Sequence, residues 1–326
     1  MTKFRKDCIN WAKLTYKESV INEKISDKAL NVRVIKCFKE LGIYEKPVNG
    51  YSCESLPKTE EGPLGVRINY TDVFHNLLSR NKFTPTRYLI NLTEAFINST
   101  ATDEKLNGFI ARGLRTLTSL LREPDFAEII ETTLRKDGKQ LSVSLNPLQD
   151  AGDHTDVLLN YSGMTYRIWL FQFSDRGLPH DIERVSGKRG ELPNGIHVLC
   201  PLRTEFAIEC DKLSRRMERL RTRIATYNNR LAELTPKAVK ARDTLTASIS
   251  ELSKNVITLE QEYLKEKVIA EQELDNIEGW FFYSVPYIER VTKFLETTPS
   301  PEPYGKVLDI LNGPEKFLGK MRIFEK

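Results

Sequence analysis

Hydrophobic positions along the chain change period several times, and each change marks a different kind of element. Leu30, Val34, Cys37, Phe38 and Leu41 recur at helical spacing and stop at Gly42. A second helical stripe runs through Leu106, Phe109, Ile110, Leu114, Leu117 and Leu121. Between them, residues 49–65 are rich in Gly, Pro and Ser and read as a loop. Residues 1–122 are therefore expected to form a mainly helical region. After Pro124, residues 125–134 keep a helical pattern, with Asp125 near the N-terminus where the helix dipole favours an acid. The pattern then alternates. Residues 141–146 read as a short strand, and 156–161 and 166–173 as two β-rich runs around a Ser162-Gly163 tip, a hairpin. Residues 179–185 can form a short helix, and 195–201 read as one more buried strand. The order is helix, three strands, helix, strand.

Heptad spacing follows. Phe206, Cys210, Leu213, Met217, Leu220, Ile224, Tyr227, Leu231 and Leu234 step alternately by four and three residues, a coiled-coil seam. Leu245, Ile249, Leu252, Val256, Leu259 and Tyr263 carry a second seam, which Ala270, Leu274 and Ile277 prolong. Pro236 lies between the two, where it lacks an amide donor and clashes with the preceding turn. Folding back there pairs positions whose numbers sum to about 474 in an antiparallel register. Arg223 then faces Glu251, and Lys212, Arg215, Arg216 and Arg219 face Glu260, Glu262 and their neighbours. Opposite charge favours an antiparallel coiled-coil hairpin over 206–278 rather than one long kinked helix. The same seam is open to self-association or a protein partner. The tail, 279–326, is rich in aromatic residues and interrupted by a Pro-rich stretch at 298–303; it is expected to be helical and to pack back on the body.

Composition narrows the class. The chain has 326 residues, 40% of them hydrophobic, which excludes wholesale disorder and suits about two domains. Lys and Arg total 49 against 45 Asp and Glu, too small a surplus to diagnose nucleic acid. The first fifty residues hold eleven basic against six acidic residues, which reads as a solvated helical face. Five cysteines, an odd number without a CxxC pair, argue against a disulfide framework or structural zinc and suit a reducing cytoplasm. The densest apolar run, 280–288, contains Ser284 and Pro286 and is too short to cross a bilayer. No apolar segment follows the basic start, so a soluble cytoplasmic protein without a membrane partner is expected.

Common site signatures are missing: the chain has no GxxxxGK[ST], GxGxxG, HExxH or GxSxG. Its four histidines are scattered without metal-ligand spacing, and two acids with one His in residues 153–156 arise easily by chance. The informative segment is the hairpin. A tip at Ser162-Gly163 makes paired positions sum to about 325–328, which brings Asp156 opposite residues 169–172 and near Gln172. Glu128 comes from the preceding helix, which would pack across the same sheet. These oxygens suit a hard cation such as Mg²⁺, which activates water and stabilises charge at a scissile phosphate.

Residues 123–205 resemble the PD-(D/E)xK nuclease superfamily, and its Mrr-like restriction endonucleases in particular. The resemblance rests on Phe126-Ala-Glu128 with Leu134, Gly152-Asp-His-Thr-Asp156, Gln172-Phe-Ser174 and the strand at 195–201. It implies an α+β chain with a restriction-endonuclease-like core between a helical N-terminal region and the coiled-coil arm. Asp156 and Gln172 become the metal pair, Glu128 the auxiliary acid, Mg²⁺ or Mn²⁺ the cofactor and DNA the substrate. A role as an effector in restriction or anti-phage defence follows. One position departs from the pattern: the family's lysine falls on Ser174, whose hydroxyl cannot offset developing negative charge. Some members supply that cation from the following helix, where Lys188 is the first candidate here, then Arg184 and Arg189. Without such a cation, the chain reads as a degenerate nuclease-fold adaptor that binds nucleic acid or a motor or sensor subunit. The basic run 212–223 resembles a phosphate-binding stripe, but it reads more simply as the partner of the acidic second helix.

Overall fold

The computed structural model describes residues 1–54, 68–99, 105–135, 138, 140–145, 155–172, 196–202, 204–297 and 307–309. The N-terminal region is helical: α1 (Lys3–Ala12), α2 (Tyr16–Glu23), α3 (Lys28–Glu40), α4 (Gly50–Glu54), α5 (Tyr70–Ser79), α6 (Pro85–Ile97) and α7 (Leu106–Leu120), followed by α8 (Arg122–Leu134). Local chemistry sets where these helices start, because the first N–H groups of a helix have no internal acceptor. Thr2 caps α1 through the Arg5 amide, and Asp27 caps α3 through Ala29 and Leu30. Thr15 and Glu18 form a reciprocal capping box on α2. Thr84 caps α6, whose first residue is Pro85, already fixed at a helical φ. Apolar faces of these helices share one core built around Tyr16, Phe38, Phe74, Tyr88, Phe96 and Phe109.

The strands are β1 (Leu141–Ser144), β2 (Val157–Tyr161), β3 (Met164–Gln172), β4 (Ile196–Leu202), β5 (Leu274–Ile277), β6 (Trp280–Tyr283) and β7 (Val307–Asp309). Five of them form one mixed sheet in the order β1-β2-β3-β4-β7. β1, β2 and β3 run antiparallel, whereas β3 with β4 and β4 with β7 run parallel. The hairpin tip is Ser162-Gly163, with φ of 52° and 82°, so both tip residues are left-handed as a tight two-residue turn requires. Val157 pairs with Ile168 and Tyr161 with Met164, so β3 begins two residues earlier than its apolar run suggests. Val157, Leu159, Tyr166 and Ile168 are fully buried.

Three further helices complete the described chain: α9 (Glu205–Glu233), α10 (Val239–Glu273) and α11 (Val285–Thr297). The chain is mixed α/β and divides into two compact units, residues 1–202 with 275–326 and residues 203–274. In the second unit α9 and α10 pack on each other, with Leu213, Met217 and Leu259 buried and Leu220 and Tyr263 packed against them. Arg221 on α9 donates to Glu260 on α10 at 2.6 Å.

Two expectations are corrected where the chain leaves α10. Leu274 and Ile277 do not prolong the helical seam: α10 ends at Glu273 and both residues belong to β5. The tail does not begin as helix either, since Trp280–Tyr283 is β6. Turn chemistry overrides the heptad spacing here. Asn276 accepts the Gly279 N–H at 2.8 Å, and Glu278 and Gly279 take φ of 50° and 88°. The β-prone run Trp-Phe-Phe-Tyr then pairs back, and Trp280 and Phe282 enter the N-terminal core.

Gly50 fixes that docking. A Cβ there would lie 2.1 Å from the Gly279 carbonyl oxygen and 2.9 Å from its carbon, both backbone atoms that cannot swing away. Gly50→Ala is therefore expected to cost about 1–3 kcal/mol, the range of overpacking in a tight contact. Urea unfolding followed by tryptophan fluorescence checks this, and an unchanged midpoint would contradict the close approach.

The first unit is held across its length by a buried ionic cluster. Arg5 makes a bidentate pair with Asp125, Nε to Oδ1 at 2.8 Å and Nη2 to Oδ2 at 2.9 Å. Its Nη1 donates to Asp275, and Nη2 also reaches the Tyr283 carbonyl at 2.7 Å. One guanidinium thus ties α1, α8 and the β5–β6 hairpin together. Asp125, expected only to favour a helix dipole, is fully buried. Burial pushes its carboxyl up to about 6, against the pull of Arg5. The folded chain then holds this proton to higher pH than the unfolded chain, whose value lies near 3.8. The contribution of this group to stability is thus complete below about pH 4 and falls as pH rises to about 6. The stability of the parent chain relative to Asp125→Asn is expected to decline across that window and level off above pH 7. Urea unfolding at a series of pH values reads it, and a relative stability that rises across the window would contradict it.

Candidate active site

Asp156 lies immediately before β2, and the register of the hairpin continues to place it opposite Trp169 on β3. Its Oδ2 accepts the Leu170 N–H at 2.5 Å, so the carboxylate takes over the next rung where the regular ladder stops. This pins Asp156 beside β3. A carboxylate has about four lone-pair directions, and this bond takes one of them. Gln172 ends β3, where its backbone is paired with Leu202 of β4. It stands three residues beyond Trp169, roughly 10 Å along the strand at about 3.3 Å per residue. The Gln172 side chain, Ser174, Arg184, Lys188 and Arg189 lie outside the described residues.

Glu128 is on α8, as expected, but its carboxylate is engaged elsewhere. Oε1 accepts the Lys3 N–H at 2.8 Å and Oε2 accepts the Phe4 N–H at 2.9 Å. These are the first amides of α1, so Glu128 satisfies orphan donors and places negative charge on the positive end of that helix. Other polar residues of α8 are used the same way. Glu123 lies 3.2 Å from His75 of α5, both buried. Arg122 donates to the Phe281 carbonyl at 3.3 Å. Helix α8 is therefore a polar hub between the sheet and the N-terminal helices, a role its sequence alone does not disclose.

Thr155 is the site residue that sequence reasoning passed over. It is buried next to Asp156, and its Oγ1 has no hydrogen-bond partner among the described residues. Its hydroxyl is an oxygen donor of the hard type that Mg²⁺ takes, one residue along the chain from the half-buried Asp156. Nothing in the one-dimensional pattern separates Thr155 from an ordinary turn threonine. Among the described residues, no three His, Cys, Asp or Glu side chains converge on one point that would hold a metal ion. Among them, too, no helix is long and apolar enough to cross a membrane. Cys8 and Cys37 are buried free thiols, and burial pushes Cys37 up to about 12, so it is not a nucleophile at neutral pH. Comparison of the chain with protein-family models, with curated proteins and with solved structures returned no match.

Proposed function

We propose that the chain is a metal-dependent nuclease whose PD-(D/E)xK-like core hydrolyses phosphodiester bonds, with DNA as the substrate and Mg²⁺ or Mn²⁺ as the cofactor. One observation carries this reading. Helix α8 and strands β1, β2, β3 and β4 follow in the order the resemblance implies, the helix expected over 179–185 lying outside the described residues, and Asp156 stands just before β2 with its carboxylate bonded to β3. Asp156 and Gln172 would hold the cation, with the Thr155 hydroxyl as a further oxygen donor; Glu128, whose two oxygens cap α1, is left out of the metal set. A bound divalent cation would polarise the phosphate and make its water a better nucleophile. Lys188 would supply the positive charge that Ser174 cannot. The α9–α10 pair is read as an antiparallel coiled-coil arm, supported by the shared apolar cluster and the Arg221–Glu260 pair. Such an arm controls assembly or access to the target, as in an effector of restriction or anti-phage defence.

A second reading is favoured by Glu128, whose two oxygens already serve α1. Together with Ser174 it supports a degenerate nuclease-fold adaptor that docks nucleic acid or a partner through the arm. Supercoiled plasmid incubated with the full chain and Mg²⁺ or Mn²⁺ separates the two. Nicked or linear product supports the nuclease, and intact plasmid with both metals supports the adaptor.

A further inference from the structure

Helix α10 carries a second seam that its packing on α9 leaves uncovered. Leu252, Val256 and Leu259 are buried. About 130° around the helix, Lys254, Ile257, Gln261, Leu264, Val268 and Glu271 step by 3, 4, 3, 4 and 3 residues, and all six are exposed. Ile257, Leu264 and Val268 are 55%, 58% and 55% exposed, respectively. Apolar side chains in a 3.5-residue repeat form the kind of stripe that another helix covers. Isolated surface apolar residues are common, but three on one seam of one helix are not scattered.

We infer that this face is a homodimer interface, in which α10 of one copy lies antiparallel on α10 of a second copy. The residues on the seam are self-complementary under a twofold axis between positions 262 and 263. That axis sets Ile257 against the partner copy's Val268 position and Gln261 against its Leu264 position. It sets Lys254, at one end, against the Glu271 position at the other. Lys and Glu therefore exchange places across the axis, so every end pair is of opposite charge and occurs twice, as an isologous contact requires. The flanking positions agree. Glu260 and the Lys267 position of the second copy lie on the same flank of the seam, within two residues of the same level, again twice, and Glu260 also bonds Arg221 while Lys267 lies 3.6 Å from Glu271 in its own helix. A parallel pair would instead set Lys254 on Lys254 and Glu271 on Glu271, which like-charge repulsion disfavours. The seam spans residues 254–271, about 26 Å of helix at 1.5 Å per residue. The inference does not depend on whether the core cuts DNA.

Sedimentation equilibrium of the full chain tests it, with far-UV circular dichroism confirming that each variant keeps its helices. The parent chain is expected to approach twice its 37.6 kDa mass as concentration rises. Leu264→Glu should remain monomeric. Lys254→Glu and Glu271→Lys should each weaken the dimer by about tenfold or more, because each places two like-charge contacts in the interface. The double variant Lys254→Glu/Glu271→Lys should recover the parent affinity, since the swap restores opposite charge across the axis. A parent chain that stays at 37.6 kDa at every concentration would overturn the interface. Single reversals with no effect, or a double variant no tighter than the singles, would overturn the antiparallel register.

Discussion

Arg5→Ala is expected to destabilise the first unit by about 3–5 kcal/mol, the largest stability effect of any single side chain considered. The guanidinium is buried and serves Asp125, Asp275 and the Tyr283 carbonyl at once. Its removal leaves the fully buried Asp125 carboxylate without its countercharge. Arg5→Lys should recover only part of the loss, because an ammonium cannot reproduce the planar fork that holds both Asp125 oxygens. Arg5→Met combined with Asp125→Leu should cost less than Arg5→Ala, since no unpaired carboxylate then remains at position 125. The deficit of Arg5→Ala should shrink toward pH 5, where Asp125 takes up a proton. Urea unfolding of the full chain measures all three variants. A change below about 1 kcal/mol for Arg5→Ala would mean that the cluster is solvated or dispensable.

Much of the local architecture was legible because local chemistry determined it. The β2–β3 hairpin announced itself through alternating Val157, Leu159 and Tyr161 and a Ser-Gly tip, and the observed register puts Asp156 within the expected reach of β3. The helices of residues 203–274 follow the apolar seam of Leu213, Met217, Leu220 and Leu259. Leu274 and Ile277 misled because they kept the helical seam's spacing, whereas Asn276 and Gly279 decided the backbone. The second seam on α10 was hidden for a related reason: only the observed burial of Leu252, Val256 and Leu259 reveals which apolar residues are left over.

The candidate site was legible only in part. Asp156 could be placed from hairpin arithmetic, since its neighbour Leu170 is fourteen residues away on the paired strand. Glu128 could not, because its bonds to Lys3 and Phe4 span 125 and 124 residues and arise from tertiary packing. The same holds for Arg5 and Asp125, which read as a surface cation and a helix-dipole acid until the fold buries them together. Thr155 carries no signal until its burial is seen, with its hydroxyl lacking a partner among the described residues.

Asp156 carries the largest expected effect on activity. Asp156→Ala would remove both the proposed metal ligand and the acceptor for the Leu170 amide, which mixes lost chemistry with about 1 kcal/mol of lost stability. Asp156→Asn separates them. Its amide oxygen can still accept from Leu170, but the negative charge that would hold a divalent cation is gone. The decisive measurement is the rate of plasmid cleavage by the full chain in Mg²⁺, parent against Asp156→Asn, with unfolding midpoints compared. A nuclease centred on Asp156 predicts cleavage by the parent, a loss of at least about 10³-fold in the variant and little change in midpoint. Cleavage by Asp156→Asn at the parent rate, or no cleavage by the parent, would contradict it.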